Sequence, residues 1–368
     1  MESKYAGIMV SNKTYKKFPD VKGRLSTVIS FYEEAAEKNS IRLCYFKPSN
    51  IDFETKTVTG FTKEINGYKL QTISLPTVIF RRTYYSKSYQ LPILKLCNEG
   101  YEIYNLRRFK HKKYEDYNIL KENPKLNLHL PDTKQASVET IKDMMGKYKE
   151  LMIKPNGGSV GQGIMKLEYV GEHWSLYYKE KRNKERVWTQ INFKENLPDF
   201  LIEKISKKPY IVQERIHLAT VRGAPFDMRV SVQKNARGRW QVSGIIAKLA
   251  GENQFLTNIH QGGTAYTLDK LLKNHPTLLA DEVKKSISDF SLKAAKYIES
   301  QFPKLADLGF DIGINKEGFP YFIELNTVSD YPALTLLKET LKEEEWKNVF
   351  TTPIDYAGYL LRKKKISS

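Results

Sequence analysis

A lysine set just ahead of four closely spaced glycines is the first candidate for chemistry in this chain. Lys154-Pro155-Asn156-Gly157-Gly158-Ser159-Val160-Gly161-Gln162-Gly163 directly follows the apolar run Leu151-Met152-Ile153. Glycine tolerates positive φ and lets backbone amides approach an anion closely. Successive amides in such a turn form a concavity for phosphate oxygens. No Gly-Lys-Ser/Thr follows, so this is not a Walker loop. Here the lysine stands at the end of a strand, its ammonium able to reach back over the loop. Lys154, Gly157, Gly158, Ser159, Gly161 and Gly163 are therefore candidate phosphate ligands. A plain glycine-rich hairpin is the competing reading of this segment taken alone.

A second group lies far downstream, in Phe310-Asp311-Ile312-Gly313-Ile314-Asn315 and Tyr321-Phe322-Ile323-Glu324-Leu325-Asn326. Strand residues two apart share a face, so Glu324 and Asn326 point one way and Leu325 the other. With Asn315-Lys316-Glu317-Gly318 as a hairpin turn and Ile314 opposite Phe319, Asp311 falls opposite Phe322. It is then diagonal to Glu324, with backbones roughly 7–8 Å apart. Two carboxylates and an amide oxygen converging there suit a hard cation that also binds triphosphate oxygens. The competing reading makes Asp311 a turn cap and the other two solvent-facing edge residues.

Between these groups, Tyr210-Ile211-Val212-Gln213-Glu214-Arg215-Ile216 is a strand running into a polar turn, the shape of a hinge whose backbone reads an adenine edge. In Phe226-Asp227-Met228-Arg229-Val230-Ser231-Val232, alternation sends Met228, Val230 and Val232 to the core. Asp227, Arg229 and Ser231 share the other face. Arg229 could hold a γ-phosphate or an acyl phosphate through bidentate hydrogen bonds. Lys248 ends a later strand, and Asn258-Ile259-His260-Gln261-Gly262-Gly263 offers a second amide-rich turn. His260 ranks low as a base, because a lone loop histidine is more often structural or solvated.

The elements that position these residues are legible in outline. Tyr5–Val10, Ile41–Phe46, Thr77–Phe80 and Tyr101–Asn105 read as short buried strands, with Leu25, Val28, Ile29, Tyr32 and Ala36 at helical spacing between the first two. Such alternation suggests parallel βαβ units. The proline-bearing stretch from Asn123 to Thr133 suggests a boundary, giving an N-terminal α/β unit over 1–129 and a second unit over 130–368. A helix over Val138–Tyr148 leads into the Lys154 strand. Residues 168–200, rich in charge and aromatics without a dominant period, read as strands and a long loop inserted beside the site. Asn235-Ala236-Arg237-Gly238 reads as a hairpin turn. Glu282–Phe302 is the clearest amphipathic helix.

Composition narrows the classes. Hydrophobic residues at 40% and charged residues at 28% of 368 are ordinary for a soluble globular chain. No apolar run approaches the roughly 20 residues that span a bilayer, and the N-terminus does not read as a secretory signal. Cys44 and Cys97 fit no metal or redox spacing, so a cytoplasmic setting is expected. Sixty basic against 42 acidic residues leave +18, favouring an anionic partner. The densest basic run is Arg107-Arg108-Phe109-Lys110-His111-Lys112-Lys113-Tyr114, with another at Arg362-Lys363-Lys364-Lys365. A solvated face and a frayed tail are the bland readings. No recognition-helix or RNA-binding signature accompanies either run, which disfavours nucleic acid.

In this order, Lys154-Pro155 with its glycine loop, Gln213-Glu214, Phe226-Asp227-Met228-Arg229, Asn258–Gly263, and Asp311 with Glu324-Leu325-Asn326 resemble an ATP-grasp protein. Val212-Gln213, Val232-Gln233-Lys234, Gly238-Arg239-Trp240 and Thr257-Asn258 make the YheC/YheD type, proteins of the endospore coat, the nearest resemblance. It covers residues 130–335 well and the N-terminal part loosely. The resemblance implies two α+β subdomains clasping ATP and two Mg²⁺ ions, behind an N-terminal βαβ-type domain. It implies nucleotide contacts from Lys154, the glycine loop, Gln213, Glu214, Arg215, Ile216 and Asp227, metal contacts from Asp311, Glu324 and Asn326, and reaction roles for Arg229, Lys248 and Asn258. Where the resemblance leads one to expect arginine, this chain has Lys248, which keeps the charge but not the bidentate fork. The activity implied is a carboxylate–amine ligase acting through an acyl phosphate on an amino acid, peptide or acidic polymer. A kinase of the same fold, or a non-catalytic basic nucleotide-binding coat scaffold, are the alternatives. Association with the spore coat follows from the same resemblance.

Overall fold

The computed structural model describes residues 5–106, 112–158, 161–182, 185–252, 254–327 and 343–367. Strand β1 (Tyr5–Met9) leads through the helix Arg24–Lys38 into the parallel strand β2 (Arg42–Phe46), the βαβ unit that the alternation predicts. The helix buries Ile29, Tyr32, Ala35 and Ala36 against it. Next come the short β3 (Ile51–Asp52) and an antiparallel hairpin, β4 (Thr57–Glu64) and β5 (Gly67–Ser74), which the apolar spacing does not announce. The strands β6 (Val78–Arg81) and β7 (Glu102–Tyr104) then continue the parallel sheet on the other side of β1. Seven strands result, in the order β3-β4-β2-β1-β6-β7 with β5 on β4.

The second sheet is wholly antiparallel. Its six strands, β8 (Thr133–Gln135), β9 (Glu150–Pro155), β10 (Met165–Val170), β11 (His173–Arg182), β12 (Glu185–Phe193) and β13 (Tyr210–Glu214), run in the order β12-β11-β10-β9-β13-β8. Residues 168–200 thus form mainly the outer hairpin of this sheet, paired from Trp174 opposite Phe193 to Arg182 opposite Glu185, and not a long inserted loop. Its period is hidden because Lys and Arg stems and aromatic rings cover apolar surface as well as aliphatic side chains do.

The third sheet holds Asp227, Arg229, Lys248, Asp311, Glu324 and Asn326. It comprises β14 (Thr220–Val221), β15 (Ala224–Lys234), β16 (Trp240–Leu249), β17 (Thr264–Tyr266), β18 (Asp307–Ile314) and β19 (Pro320–Asn326), in the order β17-β16-β15-β18-β19 with β14 on β15. The β15–β16 hairpin turns at Asn235–Gly238 as its sequence predicts, closed by Gly238 N donating to Asn235 O at 2.8 Å. One face of this sheet buries Phe226, Met228, Val230, Val232, Leu308, Phe310 and Ile312 against the helix Ala280–Gln301. The other face is polar.

Packing crosses residue 129 in both directions. The helices Lys113–Lys121 and Pro124–Asn127 place Tyr117, Leu120 and Leu126 in the core of the third sheet. The helix Glu343–Ser367 sends Val349, Phe350, Ile354 and Ala357 into the core of the first. Among the described residues no helix is long and apolar enough to cross a membrane.

Candidate active site

Alternation along β15 puts Asp227 and Arg229 on the polar face of the third sheet, and the β15–β18 register sets Arg229 opposite Asp311. Arg229 donates to both carboxylate oxygens, Nε to Oδ1 at 3.0 Å and an Nη to Oδ2 at 2.9 Å. From the neighbouring strand, Lys248 Nζ reaches Asp311 Oδ1 at 2.7 Å and Asp227 Oδ1 at 3.0 Å. Thr257 completes the cluster by donating to Asp227 Oδ2 at 2.6 Å.

The β18–β19 hairpin is not in the register that the turn spacing suggests. Ile314 pairs with Pro320 and Ile312 with Phe322; a bulge then absorbs Ile323, so that Asp311 stands directly opposite Glu324. A bulge sets two residues of one strand against one of its partner and re-aims the side chains beside it. Here it adds to a one-residue shift already present at the turn, and together they replace the expected diagonal with direct opposition. Asn326 Nδ2 donates to Asp311 Oδ2 at 3.3 Å. Asp311 is 7% exposed, so it lies in the interior and not on an open strand face.

Burial would raise the Asp311 carboxyl, but Arg229 and Lys248 override it and hold the group well below the ordinary carboxylate range. Asp227 goes the other way, raised by burial and by Asp311 against the pull of Lys248. Burial would lower Lys248, yet its two carboxylate neighbours leave it above the usual lysine value.

Across from this face stands the second sheet. Lys154, near the end of β9, donates to Gln213 Oε1 at 2.6 Å, and the Gln213 amide donates in turn to Thr133 Oγ1 at 2.8 Å. Burial, then the nearby Lys113, brings the Lys154 ammonium down to about 8. Gln213 is thus buried side-chain support for the lysine. Glu214 accepts from Asp132 N at 3.2 Å, Arg215 donates to Glu150 at 2.7 Å, and Ile216 lies half-buried just beyond β13. Gly157 and Gly158 are exposed, and Ser159 falls outside the described residues.

The two amide-rich turns meet. Gly161, at φ +70°, lies where a Cβ would come within 3.5 Å of Gln261 and 3.8 Å of Asn258, while Gly163, at φ +74°, backs onto Pro155 and Tyr210. The Asn258 carbonyl accepts from Gln261 N and Gly263 N, which shapes the second turn. The β11–β12 hairpin grips this turn and the segment just ahead of it: Lys179 donates to Gln261 at 2.7 Å and Trp188 Nε1 to Gln254 at 3.1 Å. Trp188 also packs on Phe255, with ring centroids 4.6 Å apart.

A lysine loop, a polar hinge and a carboxylate–cation face are thus gathered between two sheets. The sequence profile described as YheC/D like ATP-grasp matches residues 101–360. The chain belongs to this family. The endospore coat-associated protein YheD of Bacillus subtilis (strain 168) is 26% identical, over 97% of this chain and 78% of its own length. The endospore coat-associated protein YheC of the same organism is 22% identical, over 89% of this chain and 91% of its own. In fold, the chain resembles the ATP-grasp ligase PsnB solved with a phosphomimetic variant of a minimal precursor, Mg and ADP. That match has TM-score 0.56 and 13% identity, over 97% of this chain and 99% of PsnB.

In this YheC/D-like ATP-grasp protein the donor chemistry fits the Mg²⁺ that the fold family implies. Asp311, Glu324 and Asn326 offer only hard oxygens on facing positions of β18 and β19, as such a cation requires. With its NH₂ group on Asp311, the Asn326 carbonyl oxygen is not used in that bond. Among the described residues, no three His, Cys, Asp or Glu side chains converge on a metal position.

Two residues of the YheC/D-like site escape the sequence reading. Lys113 forms an ion pair with Glu324. It closes the basic run read as a solvated face: Arg107–His111 fall outside the described residues, and Lys112 pairs on the surface with Glu115 at 3.1 Å. Asn156 joins Lys113 to the glycine loop, its Oδ1 accepting from Tyr114 N and its backbone O from Lys113 N, each at 2.9 Å. No local pattern marks Lys113, because its role depends on a strand two hundred residues away in sequence.

Proposed function

We propose that the protein is an ATP- and Mg-dependent ligase joining a carboxylate to an amine through an acyl phosphate. The observation that carries this reading is the Arg229–Asp311–Lys248 cluster beside Glu324 and Asn326, facing Lys154 across the inter-sheet space. Three carboxylates (Asp227, Asp311, Glu324) against four cations (Lys113, Lys154, Arg229, Lys248) leave one positive charge for phosphate oxygens. Bound Mg²⁺ would neutralise charge on the triphosphate. Lys154, Gly157, Gly158, Gly161 and Gly163 would hold its oxygens, and the backbone at Gln213–Ile216 would meet the adenine.

A substrate carboxylate oxygen attacks the γ-phosphorus as the β–γ bridging oxygen leaves with ADP. The amine nitrogen then attacks the acyl carbon, phosphate departs, and the amine proton goes to solvent. Arg229 and Lys248 are fixed before substrate arrives, so they stabilise the transferring group without reorganising. Asn258 lies where its turn meets the glycine loop. Such a site works by positioning and charge, with no nucleophilic side chain.

The names of the curated relatives and the +18 charge support a setting at the spore coat, after synthesis in the cytoplasm, with an amino acid, peptide or acidic polymer as acceptor. The test is ADP release with ATP-Mg across amino acids, amines and acidic peptides, with hydroxylamine added to trap the acyl phosphate. A hydroxamate supports the ligase; a stable phosphorylated acceptor makes it a kinase. Nucleotide binding without turnover across the screen leaves the scaffold reading.

A further inference from the structure

Each carboxylate that would meet a metal already carries a cation. Asp311 is chelated by Arg229 and bridged by Lys248. Glu324 is paired with Lys113, and both side chains are largely buried, 12% exposed for the lysine and 22% for the glutamate. Lys113 is not a surface lysine that happens to swing in. It is the first residue of the helix Lys113–Lys121, whose start is pinned to Asn156 through two hydrogen bonds of 2.9 Å. Asn156 is itself 7% exposed, and its own N–H donates to Pro209 O at 2.9 Å. The segment that carries Lys154 therefore also fixes where the Glu324 counter-ion sits.

We propose that Lys113, positioned by Asn156, is a resident counter-ion that keeps divalent metal off Glu324 until nucleotide arrives. This rests on the nucleotide-site reading above and adds an order of binding to it. Ammonium and metal compete for one carboxylate oxygen. A hexa-aqua divalent ion meeting the nucleotide-free site must displace the ammonium while four cations surround it. The phosphate oxygens of a bound nucleotide, di- or triphosphate, change that balance. They give the displaced ammonium a new anionic partner and supply the metal with oxygens that the protein lacks. Metal binding is therefore conditional on nucleotide. Asn156, bonded to the backbone at Lys113 and Tyr114, acts through Lys113 as a positioning residue.

Mn²⁺ binding followed by the loss of its free-ion magnetic resonance signal tests this, with and without ADP and against a protein-free Mn²⁺–ADP titration, on the parent protein, Lys113→Gln and Asn156→Ala. The parent should bind Mn²⁺ with ADP and at least about tenfold more weakly without it, one like charge at contact distance being worth that or more. Lys113→Gln should bind Mn²⁺ without nucleotide about tenfold more tightly than the parent does, and adding Glu324→Gln should abolish the gain. Asn156→Ala should shift the same way by less. Circular dichroism melts establish that the variants are folded, and Asn156→Ala carries the test if Lys113→Gln is not. Equal Mn²⁺ affinity of the parent with and without ADP overturns the proposal, as does a folded Lys113→Gln variant with unchanged nucleotide-free affinity. If calorimetry finds no ADP binding at all, the nucleotide site itself is refuted, a result distinct from either of these.

Discussion

Replacing Asp311 with asparagine should damage the fold as well as any activity. The carboxylate is 7% exposed and receives hydrogen bonds from Arg229 (two), Lys248 and Asn326. Removing one partner of a buried ion cluster costs about 3–5 kcal/mol, because the remaining charges stay buried without compensation. Lys248 keeps Asp227 at 3.0 Å, which places the expected loss near the lower end, about 3 kcal/mol. Urea unfolding followed through tryptophan fluorescence suits the measurement, since Trp240 lies on β16 of the same sheet. The loss should itself depend on pH. The folded-state carboxyl sits below its unfolded value of about 3.9, so its stabilisation is complete above that pH and fades as pH falls below it. Parent and variant stabilities should therefore converge below pH ~4. Pairing Asp311→Asn with Lys248→Met should cost less than the sum of the two, since each removes the other's unmatched charge. A variant within about 1 kcal/mol of the parent at neutral pH would refute the claim that the cluster is a buried ionic unit.

ATP-Mg at a hundred times its dissociation constant should stabilise the protein by about 2.7 kcal/mol, and superimposable melting curves with and without it would sink the nucleotide site. Nucleotide affinity should weaken as pH rises through about 8, where Lys154 loses its proton, and Lys154→Arg should flatten that dependence. In the nucleotide-free protein the same depressed lysine should make stability rise between pH 8 and the unfolded value of about 10.4, since the unfolded chain then binds the extra proton. Trp188→Ala removes the ring on Phe255 and the bond to Gln254, so nucleotide dissociation measured by stopped flow should speed up while melting changes little.

The parts legible in the sequence are those whose partners are near in sequence or whose period is clean. The β15 alternation gives the faces of Asp227 and Arg229 correctly, and the Asn235–Gly238 turn and the long helix 280–301 fall within two residues of their expected bounds. The glycine loop and the Asn258–Gly263 turn are each visible, but not that Gly161 brings them together. The β18–β19 register is missed by one position at the turn, where Ile314 meets Pro320 in place of Phe319, and by two at Asp311, because the bulge at Ile323 adds another and leaves no compositional mark: Ile323 is as good a strand residue as its neighbours. The neutralisation of Asp311 is missed too. Alternation says which face a side chain takes, not which side chains meet across strands distant in sequence.

The helix Glu343–Ser367 has a mechanical consequence. Pro353 O accepts from Tyr104 of the first sheet, Asp355 from Asn39 and Val349 O from Gln233 of the third, while Arg362 reaches both Asn39 and the Ala236 carbonyl of the β15–β16 turn. Asn105 adds a second brace, fastening the end of β7 to Ala306, Asp307 and Thr327 around the strands that hold Asp311 and Asn326. First and third sheets are in this way bolted into a single frame. The second sheet meets that frame through the Asn156 bonds to the start of the Lys113 helix, the Lys179–Gln261 bond and the short stretch after Glu214. The lysine-bearing sheet is the one of the three outside that frame, so the carboxylates and the lysine loop belong to separate braced bodies.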